Sequence, residues 1–173
     1  ALGVVRIIRE GQLRIPLRDV VAFAENLSPI PPDDDGVVDD VAKFIVDRLR
    51  VQLRADGARH DVLNAVLGAG ADDDIVRLLA RTEAVAEFLG TEAGANLLAA
   101  YRRAANILRI ETKKDGREFD GAIDSTLLEE PAERALALAI GQSGPEVADA
   151  IAGERFIDAM ASLAELRGPV DQF

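Results

Sequence analysis

Cationic side chains are concentrated in two short segments of this 173-residue sequence, although the whole chain carries 31 acidic and only 20 basic residues. Residues 43–60 have a net charge of +3 and residues 101–117 one of +4, so the remainder of the chain totals −18. Closely spaced Arg and Lys side chains can neutralise successive phosphates of a nucleic acid, an interaction that weakens as salt rises. The candidate phosphate-binding residues are Lys43, Arg48, Arg50, Arg54, Arg102, Arg103, Lys113 and Lys114.

Residue spacing places part of the first segment's charge on one helix face. Lys43, Asp47, Arg50 and Arg54 follow one another at steps of four, three and four residues, opposite an apolar stripe. The alternative is that this face is merely solvated or pairs with acidic neighbours, as basic helix faces commonly do. The lysine pair near the end of the second segment has a local explanation too, because cations suit the negative end of a helix dipole.

The sequence lacks the residue combinations of the common catalytic and metal sites. It has no Cys, which excludes thiol nucleophiles, disulfides and thiolate metal sites, and a single histidine, His60, which excludes sites that need two imidazoles. We interpret His60 as a helix-start residue. The Asp runs at 33–35 and 72–74 lack the spacing of a calcium loop, so solvation and helix capping explain them better. We therefore expect no catalytic site, no metal site and no cofactor in this chain.

Tyr101 directly precedes two arginines and could in principle stack on a nucleic-acid base. However, it lies on the apolar side of its predicted helix, together with Leu97, Leu98, Ala105 and Leu108. This position favours a core residue whose hydroxyl group lies at the rim of the core. We predict the core position in preference to the base-stacking one.

Apolar residues recur at helical spacing through most of the chain, and strand patterns are nearly absent. The pattern predicts helices over 37–55, over 60–67, from 75 to Gly90, and from the cap Thr91 to the stop at 113–116. The predicted apolar stripe of the first of these consists of Val37, Val41, Phe44, Ile45, Leu49 and Leu53. We predict an all-α fold, a helical bundle of about six to eight helices.

Proline and glycine mark the expected helix ends after residue 120. Pro131 and Pro145 each sit where a first helical turn needs no N–H donor, and Gly141, Gly153 and Gly168 lie at expected helix ends. The last pattern covers 154–169 and is predicted to present one apolar side, formed by Phe156, Ile157, Met160, Leu163 and Leu166.

The segment SPIPPDDDG, residues 28–36, is the best candidate for a domain boundary, because it is rich in Pro and Asp. The opening apolar run ALGVVRII needs a packing partner and indicates a piece of a longer polypeptide. No stretch approaches the roughly 18 to 20 apolar residues of a membrane span, and no signal-peptide pattern is present. We expect a cytoplasmic protein that does not contact a membrane.

Four blocks of sequence resemble the beta subunit of bacterial glycyl-tRNA synthetase. FIVDRLRVQLRADGARHDVLNAVL (44–67), GANLLAAYRRAANILRIETKKDGREFDGAID (94–124) and AMASLAELRGPVDQF (159–173) resemble its C-terminal region. The opening ALGVVRIIREGQLRIPL (1–17) resembles the segment that follows its HD-like region. The resemblance covers almost the full chain, in order and without large gaps.

The resemblance implies a division of the chain at the linker. Residues 1–35 would be the tail of the preceding HD-like region and the linker, and residues 36–173 a helical domain of the DALR anticodon-binding type. This domain would be truncated, because the family continues into further helices that carry the Asp-Ala-Leu-Arg-like signature.

The resemblance also implies a function. In this family the alpha subunit makes glycyl-adenylate from glycine and ATP, with Mg, and the beta subunit binds tRNA. The chain would then be a noncatalytic tRNA-binding part of the synthetase, with tRNA(Gly), the alpha subunit and the rest of the beta subunit as partners. The candidate cations would contact phosphates of the tRNA. The alternative is a structural scaffold or subunit-contact segment that does not touch RNA, which an exposed apolar patch or pairing of both basic clusters with carboxylates would favour.

Overall fold

The computed structural model describes residues 2–29, 36–68, 70 and 72–173, and the described part contains helices and no strands. The predicted all-α class is therefore confirmed. The chain forms two compact units, 1–86 and 87–173. The described residues contain nine α-helices, somewhat more than the six to eight predicted. Their bounds are α1 Leu2–Glu10, α2 Leu17–Asn26, α3 Val37–Ala55, α4 His60–Leu67, α5 Ile75–Leu89, α6 Glu92–Asp115, α7 Pro131–Ala152, α8 Phe156–Ala164 and α9 Arg167–Gln172, and a 3-10 helix covers Ser125–Leu127.

Helix α3 forms the centre of the first unit and packs against α1, α2 and α4. Its bounds agree with the predicted 37–55, and α4 begins at His60 as expected. The inward residues of α3 are Ala42, Ile45, Leu49 and Leu53. The predicted stripe was wrong at two positions, because Val41 and Phe44 are 37% and 51% exposed. The small Ala42 occupies the inward position instead, which lets neighbouring helices approach α3 closely.

The Asp run at 72–74 joins the start of α5 to the start of α2. Asp74 accepts a hydrogen bond from the backbone N–H of Arg77 at 3.1 Å, so the predicted helix cap is confirmed. The same carboxylate lies 2.7 Å from Nε of Arg14, and Asp73 accepts from the backbone N–H of Arg18 at 2.8 Å. These links between residues far apart in the sequence were not predicted.

Helix α6 is the longest element of the second unit and packs against α8 and α9, while α7 packs mainly against α8. The predicted cap is confirmed, since the hydroxyl of Thr91 accepts from the backbone N–H of Gly94 at 3.1 Å. At the other end Gly116 adopts a left-handed conformation with φ of 65°, which ends the helix as predicted.

Three of the residues predicted to mark helix boundaries in the second unit lie inside helices instead. Pro145 and Gly141 lie inside α7, which runs without a break from Pro131 to Ala152. Gly144 lowers one cost of this arrangement, because part of the steric restriction on the residue before a proline involves a Cβ atom that glycine lacks. Beyond α7, the last pattern divides into α8 and α9, and Gly168 lies within α9 instead of ending a helix.

The compact units divide the chain at a different place from the predicted linker. Residues 30–35 of the linker lie outside the described residues, and the contact-based division falls between 86 and 87. Helices α2 and α3, on either side of the linker, pack against each other and belong to one unit. The assignment of residues 1–35 to the tail of an HD-like region stays a prediction.

Candidate nucleic-acid interface

Helix α3 brings three of its four candidate cations to one face. Lys43 and Arg54 are exposed, and Arg50 between them is half-buried. The Nε atom of Arg50 is inaccessible to solvent and has no hydrogen-bond partner in the described part of the chain. Because α3 is continuous over these positions, the spacing of the three side chains places them on one side of the helix.

Aspartates surround two of the α3 cations, Lys43 and Arg50. Lys43, Arg50 and Arg18 line a cavity of about 420 Å³ together with five carboxylates, those of Asp39, Asp40, Asp47, Asp72 and Asp73. Arg18 is already paired with two of these carboxylates, at 2.6 Å to Asp39 and 3.4 Å to Asp73. Asp72 is in turn paired with Arg77 at 3.2 Å and with Arg81 at 3.4 Å. The charges at this cavity are therefore largely balanced within the chain, and an approaching phosphate experiences little net positive charge there.

Arg48 lies on a different side of α3. Its guanidinium carbon is 5.0 Å from the centroid of the Phe44 ring, which is a cation–π contact between neighbouring turns. Arg48 lies five positions after Lys43. This step is more than one helical turn, so it rotates Arg48 away from the other cations. The fourth α3 candidate is therefore not part of the same surface.

Helix α6 presents a second and more open group, which we name the α6 cationic face: Arg102, Arg109 and Lys113. Steps of seven and four residues align these side chains along the helix, and all three are exposed. Within the described residues none of the three forms an ion pair with a carboxylate. Arg109 was not among the predicted site residues, although its spacing from Arg102 and Lys113 could have identified it.

The other two α6 candidates differ from this face because carboxylates lie beside them. The ammonium group of Lys114 is 3.0 Å from the carboxylate of Glu111, and this hydrogen bond raises the pKa of Lys114. Arg103 acts on α9: the pKa of Asp171 is lowered first by its hydrogen bond from Arg167, and the charge of Arg103 lowers it further. Lys114 is thus paired within the second unit, whereas Arg103 contributes to it only through its charge near Asp171.

Tyr101 is 68% exposed, so the prediction of a core residue was wrong. The adjacent Ala100 is buried in its place, with 4% exposure, and Leu108 on the expected apolar side is 49% exposed. The reason is that α6 packs against α8 and α9 through another side of the helix, which includes Ala100. The aromatic ring therefore lies on the surface beside the α6 cationic face.

Among the described residues, no group of three or more His, Asp or Glu side chains lies close enough to hold a metal ion. None of the helices in the described ranges is both long enough and apolar enough to cross a membrane. His60, the histidine at the start of α4, lies 3.2 Å from the side-chain amide of Asn64 one turn later. This contact gives His60 a local structural partner.

Comparison with known proteins relates the chain to one kind of synthetase subunit. A family model described as the glycyl-tRNA synthetase beta subunit matches residues 1–68. The whole chain is 48% identical to the glycine–tRNA ligase beta subunit of Rhodospirillum centenum, 43% identical to that of Phenylobacterium zucineum and 39% identical to that of a Ruegeria species. These matches name the beta subunit and not a DALR-type region. The chain is therefore similar along its full length to part of an aminoacyl-tRNA ligase subunit, and it spans about a quarter of the length of the curated relatives it matches.

Proposed function

We propose that this chain is a noncatalytic, tRNA-binding part of the beta subunit of glycyl-tRNA synthetase. The observation that carries the proposal is the α6 cationic face, an aligned set of exposed cations without carboxylate partners in the described residues. Similarity to beta subunits over the whole chain supports the same function. The segment corresponds to the C-terminal, DALR-type anticodon-binding region of that subunit.

Charge distribution supports binding through one face. The chain has a formal net charge of −11, so most of its surface repels a polyanion. A cationic strip on such a body attracts the phosphate backbone and orients it, because other approaches are electrostatically unfavourable. Phosphate contacts of this kind position an RNA and carry no sequence information by themselves.

The proposed function assigns the chemistry to other parts of the enzyme. ATP and Mg serve glycine activation on the alpha subunit, and this chain supports the attachment of glycine by holding tRNA(Gly). Its partners are then the tRNA, the alpha subunit and the rest of the beta subunit, all in the cytoplasm. No residue of this chain takes part in a bond-forming step in this proposal.

A comparison of three double variants with the same loss of charge tests the proposal. Arg102→Gln with Arg109→Gln removes two charges from the α6 cationic face and is expected to weaken binding of tRNA(Gly) by at least tenfold. The reason is that each phosphate contact releases a counterion, which contributes roughly a tenfold gain in affinity near 0.1 M salt. Binding is measured by fluorescence anisotropy with labelled tRNA.

The matched control is Arg6→Gln with Arg59→Gln, which removes cations that are paired with Glu10 at 3.9 Å and Asp61 at 2.6 Å. This control is expected to bind tRNA within about twofold of the unaltered chain, because paired surface cations are partly neutralised already. Lys43→Gln with Arg54→Gln is expected to lie between the two, since aspartates surround Lys43 whereas Arg54 lies outside that cavity. Equal affinities for the α6 variant and the control would contradict the proposal.

A structural role is the second candidate, and an apolar groove in the second unit favours it. The groove has a volume of about 360 Å³, and Leu108, Phe119 and Phe173 in its lining are 49%, 40% and 47% exposed. Exposed apolar grooves often contact other protein segments. If this is the principal role, all three double variants keep the tRNA affinity, and Leu108→Asp weakens association with the remainder of the beta subunit.

A further inference from the structure

Tyr101 and Phe23 are the two most exposed aromatic side chains among the described residues, at 68% and 67%. Aromatic residues make up 4% of the sequence, with one tyrosine and no tryptophan. Burying an aromatic side chain is favourable, so an aliphatic core would be expected to take up this ring. Instead 68% of Tyr101 is accessible, in the middle of the longest helix.

The ring of Tyr101 is open to solvent, and the next turn of α6 carries small side chains. One turn towards the C-terminus, the helix carries only the small side chains of Ala104 and Ala105, with Leu108 one turn further. Residues three, four and seven positions apart are neighbours on a helix surface, so these side chains form a low apolar strip that continues from the ring. An aromatic base could lie on this strip without displacing a bulky side chain.

Charges on the two sides of this strip differ. Arg102 and Arg109 of the α6 cationic face flank one side, exposed and without carboxylate partners in the part of the chain that the structure describes. Glu111 and Asp115 lie on the other side, further along the helix, where Lys114 is 3.0 Å from Glu111 and Arg117 is 3.9 Å from Asp115. A ligand with an aromatic part and a neighbouring anion therefore fits with its anion towards the arginines.

We infer that Tyr101 stacks on an unpaired base of an RNA whose phosphates contact Arg102 and Arg109. This inference rests on the proposed function and identifies which feature of the RNA the α6 cationic face recognises. Unpaired RNA bases are commonly held by aromatic side chains, while a base within a duplex has no face available for stacking. The chain accordingly distinguishes single-stranded from double-stranded RNA at this position.

Tyrosine fluorescence of the 173-residue chain reports on this contact directly. Tyr101 is the only tyrosine and there is no tryptophan, so the emission comes from this ring alone. Stacking against a base quenches tyrosine emission. We expect a short unstructured RNA to quench the emission in a saturable manner and an RNA duplex of the same total charge to leave it nearly unchanged. Emission that stays constant when single-stranded RNA is shown to bind would overturn the inference.

Three single variants complete the test. Tyr101→Ala is expected to weaken binding of the unstructured RNA on the order of tenfold, and Tyr101→Phe, which keeps the ring, less than about threefold. Phe23→Ala is the matched control, because Phe23 is an equally open aromatic residue, 67% exposed, on α2. It is expected to change the affinity less than twofold. Circular dichroism verifies that each variant keeps its helices.

The outcomes separate this inference from the proposed function. Unchanged RNA affinity of Tyr101→Ala, together with loss of affinity in the Arg102→Gln, Arg109→Gln variant, overturns stacking and leaves the proposed phosphate contacts intact. Tyr101 would then be a candidate contact for another protein segment. An unaltered chain that binds neither RNA overturns both the stacking and the proposed function.

Discussion

Neighbouring carboxylates divide the cations of α6 into two groups. Arg102, Arg109 and Lys113 have no carboxylate partner in the described ranges, whereas Lys114 is paired with Glu111 and Arg103 acts on Asp171. An exposed ion pair adds little stability, but it reduces the charge that an approaching phosphate experiences. The cationic residues of α6 are therefore unequal candidates for RNA binding.

Removing the partner of Lys114 should make an additional cation available. We predict that Glu111→Gln strengthens tRNA binding by about twofold to tenfold, because it removes a negative charge beside the RNA and releases Lys114 for a phosphate contact. Glu146→Gln is the control, since this exposed residue of α7 undergoes the same change in charge. An equal gain in both variants would mean that only net charge matters.

Asp171 makes the stability of the second unit depend on pH in the acidic range. The hydrogen bond from Arg167, 2.7 Å from the carboxylate, is the first cause that lowers the pKa of Asp171 in the folded chain. A carboxylate with a lowered pKa contributes stability that is fully present above the ordinary pKa of aspartate and is lost as the pH falls through the folded value. We predict that Asp171→Asn reduces this loss, measured as thermal unfolding between about pH 5 and pH 2. Identical pH profiles for both proteins would contradict the assignment.

At the scale of elements, helix ends with a strong local signal were predictable from the sequence. The bounds of α3 and α4 agree with the prediction, and Thr91 and Gly116 cap α6 as expected. These ends are determined within a few residues by a side-chain cap or by a glycine in a left-handed conformation. Local chemistry of this kind is contained in the sequence itself.

Features that depend on packing between elements were not predictable in the same way. Pro145 is a helix-start residue in isolation, yet it lies inside α7, where the preceding Gly144 lowers part of the steric cost. The exposed position of Tyr101 depends on which side of α6 packs against α8 and α9, and apolar spacing alone did not identify that side. The contacts of Asp73 with Arg18 of α2 and of Asp74 with Arg14 join residues more than fifty positions apart.

The corrected inward side of α3 leads to a stability prediction. Leu49 is fully buried, so Leu49→Ala should lower the free energy of unfolding by about 2 to 5 kcal/mol. Phe44→Ala should lower it by less than about 1 kcal/mol, because half of this ring is exposed and surface substitutions have small effects. The measurement is chemical denaturation of both variants. A larger effect for Phe44 than for Leu49 would contradict the exposed position of Phe44 and support its predicted place in the apolar stripe.

At the scale of the whole molecule, the two candidate clusters belong to different compact units. The α3 cations lie in the unit of residues 1–86 and the α6 cationic face in the unit of residues 87–173. Lys43 and Arg50 of α3 line a cavity together with five carboxylates, while the α6 cations are open to solvent. The sequence identified both clusters from charge and spacing, but their different surroundings depend on the folded units.

The salt dependence of tRNA binding tests the central claim most directly. The claim predicts that the logarithm of the affinity falls linearly with the logarithm of the salt concentration, and that Arg102→Gln with Arg109→Gln makes this slope shallower by about 1.5 to 2. The control Arg6→Gln with Arg59→Gln should keep the slope of the unaltered chain. A slope that is the same in all three proteins would contradict phosphate contact at the α6 cationic face.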